Sequence, residues 1–255
     1  MCLILFSYNS HPDYKLILAS NRDEFYNRPT EQAAFWGESG NILAGRDVKG
    51  GGTWLGVSRE GKIAAITNYR DLEAVKNDAP SRGLLVSQYL QRDQTPGDYL
   101  SEISRQGQVY SGFNLLAGDL KELYYYSNMG GRLKRLTPGI YGLSNHLLDT
   151  PWPKVLKGKE GVQAVTRQAD LDLNAVFDLL ADPLCPMDNE LPETGVGLEW
   201  ERILSPLFIR SDIYGTRCST VITIDYDSKV KFIERTFSSK GIMTEAFEMC
   251  FNIRC

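Results

Sequence analysis

Two apolar runs near the start, MCLILFSY and YKLILAS, limit what this chain can fold into. The turn-rich NSHPD separates them, which predicts a β-hairpin. Neither run alternates polar and apolar residues, so both strands should be covered on both faces. A second hairpin is predicted near the other end, where RCSTVITID and KVKFIERTF flank YDS. Between them lie short strand-like segments, NILAG, TWLGVS, KIAAITNY, GFNLLAGD, KELYYYSN, GRLKRL and GIYGLSN. Helical spacing is found in RGLLVSQYLQR, PWPKVLKGKEGVQAVTRQ and LNAVFDLLAD. TPGDYLSEISRQ adds a Thr cap and a first-turn Pro. Blocks of strands separated by blocks of helices point to an α+β chain. No repeat or linker divides it, so residues 1–255 read as one domain.

Composition excludes several classes. Charged residues make up 24% of the 255 and are scattered, with a net charge of −4, which argues against nucleic acid as the main partner. No apolar run approaches the roughly 18 residues of a membrane span. MCLILF lacks a basic leader, and a cytoplasmic location is expected. The five cysteines are widely spaced without a C-x-x-C pair, so neither a disulfide framework nor a zinc site is expected. Only His11 and His146 are present, which rules out a histidine-rich metal centre. No cofactor is expected.

The candidate chemistry starts with Cys2. Its two readings are a small buried hydrophobe and an N-terminal nucleophile. Removal of Met1 would leave an α-amino group (pKa roughly 7.7–8) beside a thiol (about 8.5), so one residue could supply both nucleophile and base. ASNRDEF places Asn21, Arg22, Asp23 and Glu24 where an apolar strand is expected to end. Such a cluster is either a site or a solvated turn. Asn68 and Asn145 close two further apolar strands, and an Asn amide can donate to an oxyanion. Arg217 opens the last hairpin, where a surface ion pair is the plain alternative. GGGTWLG lacks the pattern of a phosphate loop and reads as a turn allowing close backbone approach. The triple Tyr124–Tyr126 reads as a strand serving both faces.

MC, NRDEF, GGTWLGV, ITNYRD, SRGLLV, YGLSN and TRCSTV occur in that order along nearly the whole chain. This set resembles the NRDE family, which includes the eukaryotic transport-and-Golgi-organization homologues. That family is similar in turn to N-terminal nucleophile (Ntn) hydrolases of the bile-salt hydrolase and penicillin V acylase group. The resemblance implies a four-layer αββα sandwich and a cysteine amidohydrolase cleaving a linear C–N amide bond of a small acylated substrate. It implies Cys2 as nucleophile and base, Asp23 holding the α-ammonium, and Arg22 near the thiolate. Asn68 would donate to the oxyanion, Asn145 would position the amine or the oxyanion, and Arg217 would steady Asp23 and the thiolate. In those hydrolases the arginine precedes the aspartate by a few residues. Here the two are adjacent, so their side chains should point to different sides. Glu24 and His146 have no counterpart. Eukaryotic members are also linked to haem movement and lipid homeostasis, which leaves a non-enzymatic haem or lipid carrier as the alternative.

Overall fold

The computed structural model describes residues 2–37, 40–168 and 170–254. In chain order the strands begin with β1 (Cys2–Tyr8), β2 (Tyr14–Phe25), β3 (Thr30–Trp36), β4 (Ile42–Asp47), β5 (Leu55–Ser58) and β6 (Ile63–Asn68). Helices α1 (Gly83–Gln91) and α2 (Pro96–Gln106) follow, then β7 (Phe113–Gly118), β8 (Leu123–Ser127), β9 (Lys134–Arg135) and β10 (Gly139–Leu143). The rest comprises α3 (Pro153–Thr166), α4 (Leu173–Leu180), α5 (Leu198–Leu204), β11 (Tyr214–Asp225), β12 (Lys229–Phe237) and β13 (Met243–Asn252). The expected α+β class is observed, with two antiparallel sheets and their helices.

The chain divides into two compact units. The first contains residues 2–27, 138–144 and 148–250 of the described chain. Its sheet runs β10-β1-β2-β11-β12-β13, so the two hairpins foreseen from sequence lie side by side. All seven residues of β1 are buried, as its unbroken apolar run requires. Leu3, Leu5, Ala19 and Val221 face α3 and α4, packing on Val155, Val162, Val176, Phe177 and Leu180. Because side chains alternate along a strand, Cys2, Ile4 and Phe6 point to the opposite face.

The second unit holds residues 28–137, 145–147 and 251–254 of the described chain. Its sheet runs β3 to β9 in sequence order, a meander. Helices α1 and α2 cover one face, where Leu85, Val86, Tyr89, Tyr99 and Leu100 pack on Ile66, Phe113, Leu115 and Tyr126. The Thr95 side chain caps α2 by accepting from the Asp98 N–H at 3.2 Å, as its sequence foretold. Tyr126 joins the helix-facing core, while Tyr125 on the other face donates to Asn114 Oδ1 at 2.8 Å. The tyrosine triplet therefore serves both faces.

Five elements depart from the sequence reading. GRLKRL yields only the two-residue β9, whose Lys134 and Arg135 are both exposed. The strands β3 and β13 and the helix α5 carry weak apolar patterns and were not foreseen. Most consequential, β2 does not end at Asn21 but runs to Phe25, carrying Asn21, Arg22 and Asp23 at 0%, 4% and 1% exposure. Pairing with β11 keeps all three polar residues in extended backbone, and Asn21 and Arg22 pair with β1 as well.

The glycine loop behaves as expected. A Cβ on Gly52 would lie 2.3 Å from the Gly83 carbonyl carbon, a backbone atom that cannot rotate away. Gly52→Ala should therefore destabilise the protein by about 1–3 kcal/mol in denaturant unfolding. Gly131→Ala, with open space around the position, isolates the milder cost of its positive φ, and an equal loss in both variants would contradict this account.

Candidate functional site

Two groups of predicted site residues emerge, one in each unit. The first is written in strand register. Cys2 pairs directly with Arg22 across β1 and β2, and Arg22 pairs directly with Cys218 across β2 and β11. The three side chains therefore share the face turned away from α3 and α4. Cys2 is buried, and this burial raises its thiol above the ordinary value. The Asp23 charge pushes in the same direction, and the Arg22 guanidinium opposes both. The thiol is thus predominantly protonated at neutral pH and needs a base to become a nucleophile.

Asn21 and Asp23 point to the helix face, as alternation demands. Asn21 Nδ2 donates to the carbonyls of Leu180 and Leu207, both at 2.8 Å. Its Oδ1 accepts from Ser219 Oγ at 2.6 Å. This amide cross-links the sheet to the end of α4 and is structural. Asp23 Oδ1 accepts from Thr216 Oγ1 at 2.7 Å, and the Asp23 carbonyl accepts from Tyr214 at 2.8 Å. Thr216 in turn accepts from the Ile209 N–H at 2.9 Å, which fixes the hydroxyl as a donor toward the carboxylate. Arg22 and Asp23 do point to different sides, and Asp23 lies one residue beyond the Cys2–Arg22 pair.

The register of β11 shifts between Thr216 and Cys218, which makes Arg217 the extra residue of a β-bulge. Its guanidinium donates to the carbonyls of Phe25 and Tyr26 at 3.0 and 3.2 Å. Burial, then the like charge of Arg22, lowers the Arg217 pKa. The hydroxyl of Thr216 makes the side-chain hydrogen bond to Asp23 that the resemblance would give to Arg217. Thr216, Cys218 and Glu234 were not singled out from sequence. Their only signal is that polar residues interrupt two otherwise apolar strands, in TRCST and FIER.

The second group belongs to the other unit. Asn68 ends β6, and Asn145 Nδ2 donates to the Asn68 carbonyl at 2.9 Å. The Arg70 N–H donates to the Asn145 carbonyl at 2.6 Å. The two asparagines, 77 residues apart in sequence, are thereby locked together. Beside them Tyr69 and His146 share a 2.6 Å hydrogen bond, with rings 4.8 Å apart. Asn114 supports the pair by donating to the His146 carbonyl at 3.0 Å. Burial lowers the His146 pKa, so its ring is neutral near pH 7.

The expected removal of Met1 concerns a residue outside the described ones. Among the described residues no group of three or more His, Cys, Asp or Glu side chains could hold a metal. No described helix is long and apolar enough to cross a membrane.

A family model described as Transport and Golgi organisation 2 matches residues 1–239. The chain belongs to that family. The Transport and Golgi organization protein 2 homolog of Bos taurus is 42% identical, covering 92% of this chain and 93% of its own. The Homo sapiens homolog is 40% identical over 95% of each chain, and the Drosophila melanogaster protein 30% identical over 93% of each. Among solved structures, the Caenorhabditis elegans N-acylethanolamine-hydrolyzing acid amidase ortholog superposes with a TM-score of 0.50. It is 10% identical and covers 87% of this chain and 92% of its own, a likeness of fold alone. The chain thus has an Ntn-hydrolase-like α+β fold.

The neutral state of His146 has a pH consequence. Its folded pKa lies below the ordinary value of about 6.5, so the unfolded chain binds a proton that the folded one resists. The stability this contributes is complete above the unfolded pKa and is lost as pH falls toward the folded one. Denaturant midpoints should drop more steeply between about pH 7.5 and about pH 5.5 for the parent than for His146→Gln. Equal slopes would contradict a buried neutral histidine.

Proposed function

We propose that this family member is a cysteine amidohydrolase cleaving a linear C–N amide bond of a small acylated substrate through Cys2. The observation that carries the proposal is the pairing of a buried Cys2 with Arg22 at the start of β1, in an Ntn-hydrolase-like fold. That the solved structure of similar fold is an N-acylethanolamine-hydrolyzing amidase ortholog favours amide chemistry over other acyl transfers.

In the proposed cycle, loss of residue 1 frees the α-amino group of Cys2. That amine takes the thiol proton, which a buried thiol does not give up unaided. The thiolate attacks the carbonyl carbon, forming a C–S bond and an oxyanion. The oxyanion collapses, the C–N bond breaks, and the leaving amine departs with the proton held by the α-ammonium. Water then attacks the thioester, with the α-amine again as base, releasing the carboxylic acid and restoring the thiol. Arg22 offsets thiolate charge, and Asp23, oriented by Thr216, orients the α-ammonium. The family resemblance assigns donation to the oxyanion to the Asn68 amide and its positioning to Asn145. The bulge residue Arg217 holds the chain after Asp23 in place through the Phe25 and Tyr26 carbonyls.

Intact mass together with brief iodoacetamide labelling tests the nucleophile. The expected result is a chain lacking Met1 that takes up one label quickly, with the fast phase gone in Cys2→Ala. A retained Met1, or Cys2 labelled no faster than the exposed Cys185 and Cys250, would end the proposal. Given a substrate from an N-acyl amide screen, Asn68→Ala should lower kcat about 10²–10³-fold with an unchanged unfolding midpoint. Full activity in that variant would remove Asn68 from the oxyanion role.

A further inference from the structure

Asn145–Leu147 belong to the second unit, whereas residues 138–144 before them and 148–250 after them belong to the first. The three residues lie in neither a helix nor a strand, so their place is set by what bonds them. Each one is held. The Asn145 carbonyl accepts from the Arg70 N–H at 2.6 Å, and its Nδ2 donates to the Asn68 carbonyl at 2.9 Å. The His146 carbonyl accepts from Asn114 Nδ2 at 3.0 Å, and its ring shares the 2.6 Å hydrogen bond with the Tyr69 hydroxyl. Leu147 packs on Gly130, where a Cβ would come within 2.7 Å of its Cδ2.

The segment in turn fixes the end of β6. The peptide group between Asn68 and Tyr69 is bonded at both ends, its carbonyl to Asn145 and its N–H to the Gly112 carbonyl at 2.9 Å. The Asn68 backbone is thus pinned, while its own side-chain amide makes no hydrogen bond among the described residues. Of the four hydrogen bonds that hold the segment, only the Tyr69–His146 bond joins two side chains. It also lies next to both asparagines in sequence, since Tyr69 follows Asn68 and His146 follows Asn145. With their rings 4.8 Å apart, each limits the rotation of the other.

We propose that Tyr69 and His146 are positioning residues that clamp Asn145–Leu147 onto the end of β6 and so aim the Asn68 amide. The placement stands on the hydrogen bonds alone, and its use in turnover rests on the proposed role of Asn68. An amide that stabilises a developing charge must be held in place before that charge appears, because displacement of such a group by about 1 Å can cost about 10²-fold in rate. Backbone bonds fix where the chain of Asn68 runs. The side-chain pair fixes how closely the 145–147 segment stays against it.

Amide hydrogen exchange reads the placement in the full chain without any substrate. The reporter is the Arg70 N–H, bonded to the Asn145 carbonyl, and the reference is the Ile66 N–H on β6, bonded to the Trp54 carbonyl at 2.9 Å. In Tyr69→Phe the ratio of Arg70 to Ile66 exchange rates should rise about threefold or more. His146→Ala should do the same, and His146→Gln, whose amide reaches the place of Nε2, should restore the parent ratio. An unchanged ratio in folded Tyr69→Phe would overturn the proposal. Turnover of N-lauroylethanolamine reads the use of the placement. Tyr69→Phe should lower kcat about tenfold at unchanged KM, and lower it no further in a chain already carrying Asn68→Ala. Full kcat in Tyr69→Phe, or the same loss in both backgrounds, would overturn action through Asn68. If the parent chain does not hydrolyse this amide, the exchange ratio alone decides. Failure of the nucleophile proposal would appear in the Cys2 labelling experiment, and failure of the clamp would appear in the exchange ratio.

Discussion

The first unit depends on the double pairing of β2. This twelve-residue strand is bonded to β1 on one side and β11 on the other over most of its length. A strand so enclosed has no freedom of register, because a slip of one residue would turn every side chain to the wrong face. Ala19 would leave the helix-facing core and Arg22 would enter it. The apolar half, residues 16–19, fixes the register, and the polar half inherits it. Buried polar residues such as Asn21, Arg22 and Asp23 oppose folding unless each is hydrogen-bonded or paired. Here the apolar packing of the same strand offsets that cost.

The partners of those residues explain how the polar half is tolerated. Asn21 meets two carbonyls at the ends of an α-helix and a loop, groups that would otherwise need water. Asp23 is met by a hydroxyl that is itself oriented by a backbone N–H. Each bond to a neutral partner contributes only about 1 kcal/mol net, but leaving a buried group without one would cost more than that. The network is therefore better understood as specifying geometry than as supplying stability. Thr216 and Ser219, flanking the bulge on β11, each address one residue of β2 on the helix face, and Cys218 between them addresses Arg22 on the other.

Much of the fold was legible because the two hairpins are strongly apolar and four of the helices carry helical spacing of apolar residues, two of them with side-chain caps. Thr95 and Pro96 set the start of α2 where sequence placed it. β13 was not legible because its residues are mostly exposed, so no burial pattern marks it. The extension of β2 through Asn21, Arg22 and Asp23 was missed for a different reason. Polar residues at a strand end normally signal a turn, and only pairing with β11, almost 200 residues later, overrides that local preference. The same distance hides Thr216, Cys218 and Glu234, whose polar character means nothing until register aligns them with Cys2 and Arg22. Asn68 and Asn145 were found as strand-end residues, but their mutual hydrogen bond is a tertiary fact.

The adjacency of Arg22 and Asp23 looked like a departure that would separate two cooperating side chains. Alternation instead divides their work. Arg22 shares a face with the Cys2 sulfur and acts on its charge. Asp23, on the other face and one residue further along β2, lies toward the end of β1 where the Cys2 backbone nitrogen stands. In the proposed cycle a thiolate and an ammonium on Cys2 would be opposite charges a few ångströms apart, and they would need counter-charges that do not cancel each other first. Had both groups occupied one face, the guanidinium and the carboxylate would pair with each other in the buried interior. Placing them on opposite faces of a doubly paired strand prevents that collapse. The bulge at Arg217 shifts the β11 register at this point, so that Thr216 meets Asp23 while Cys218 meets Arg22.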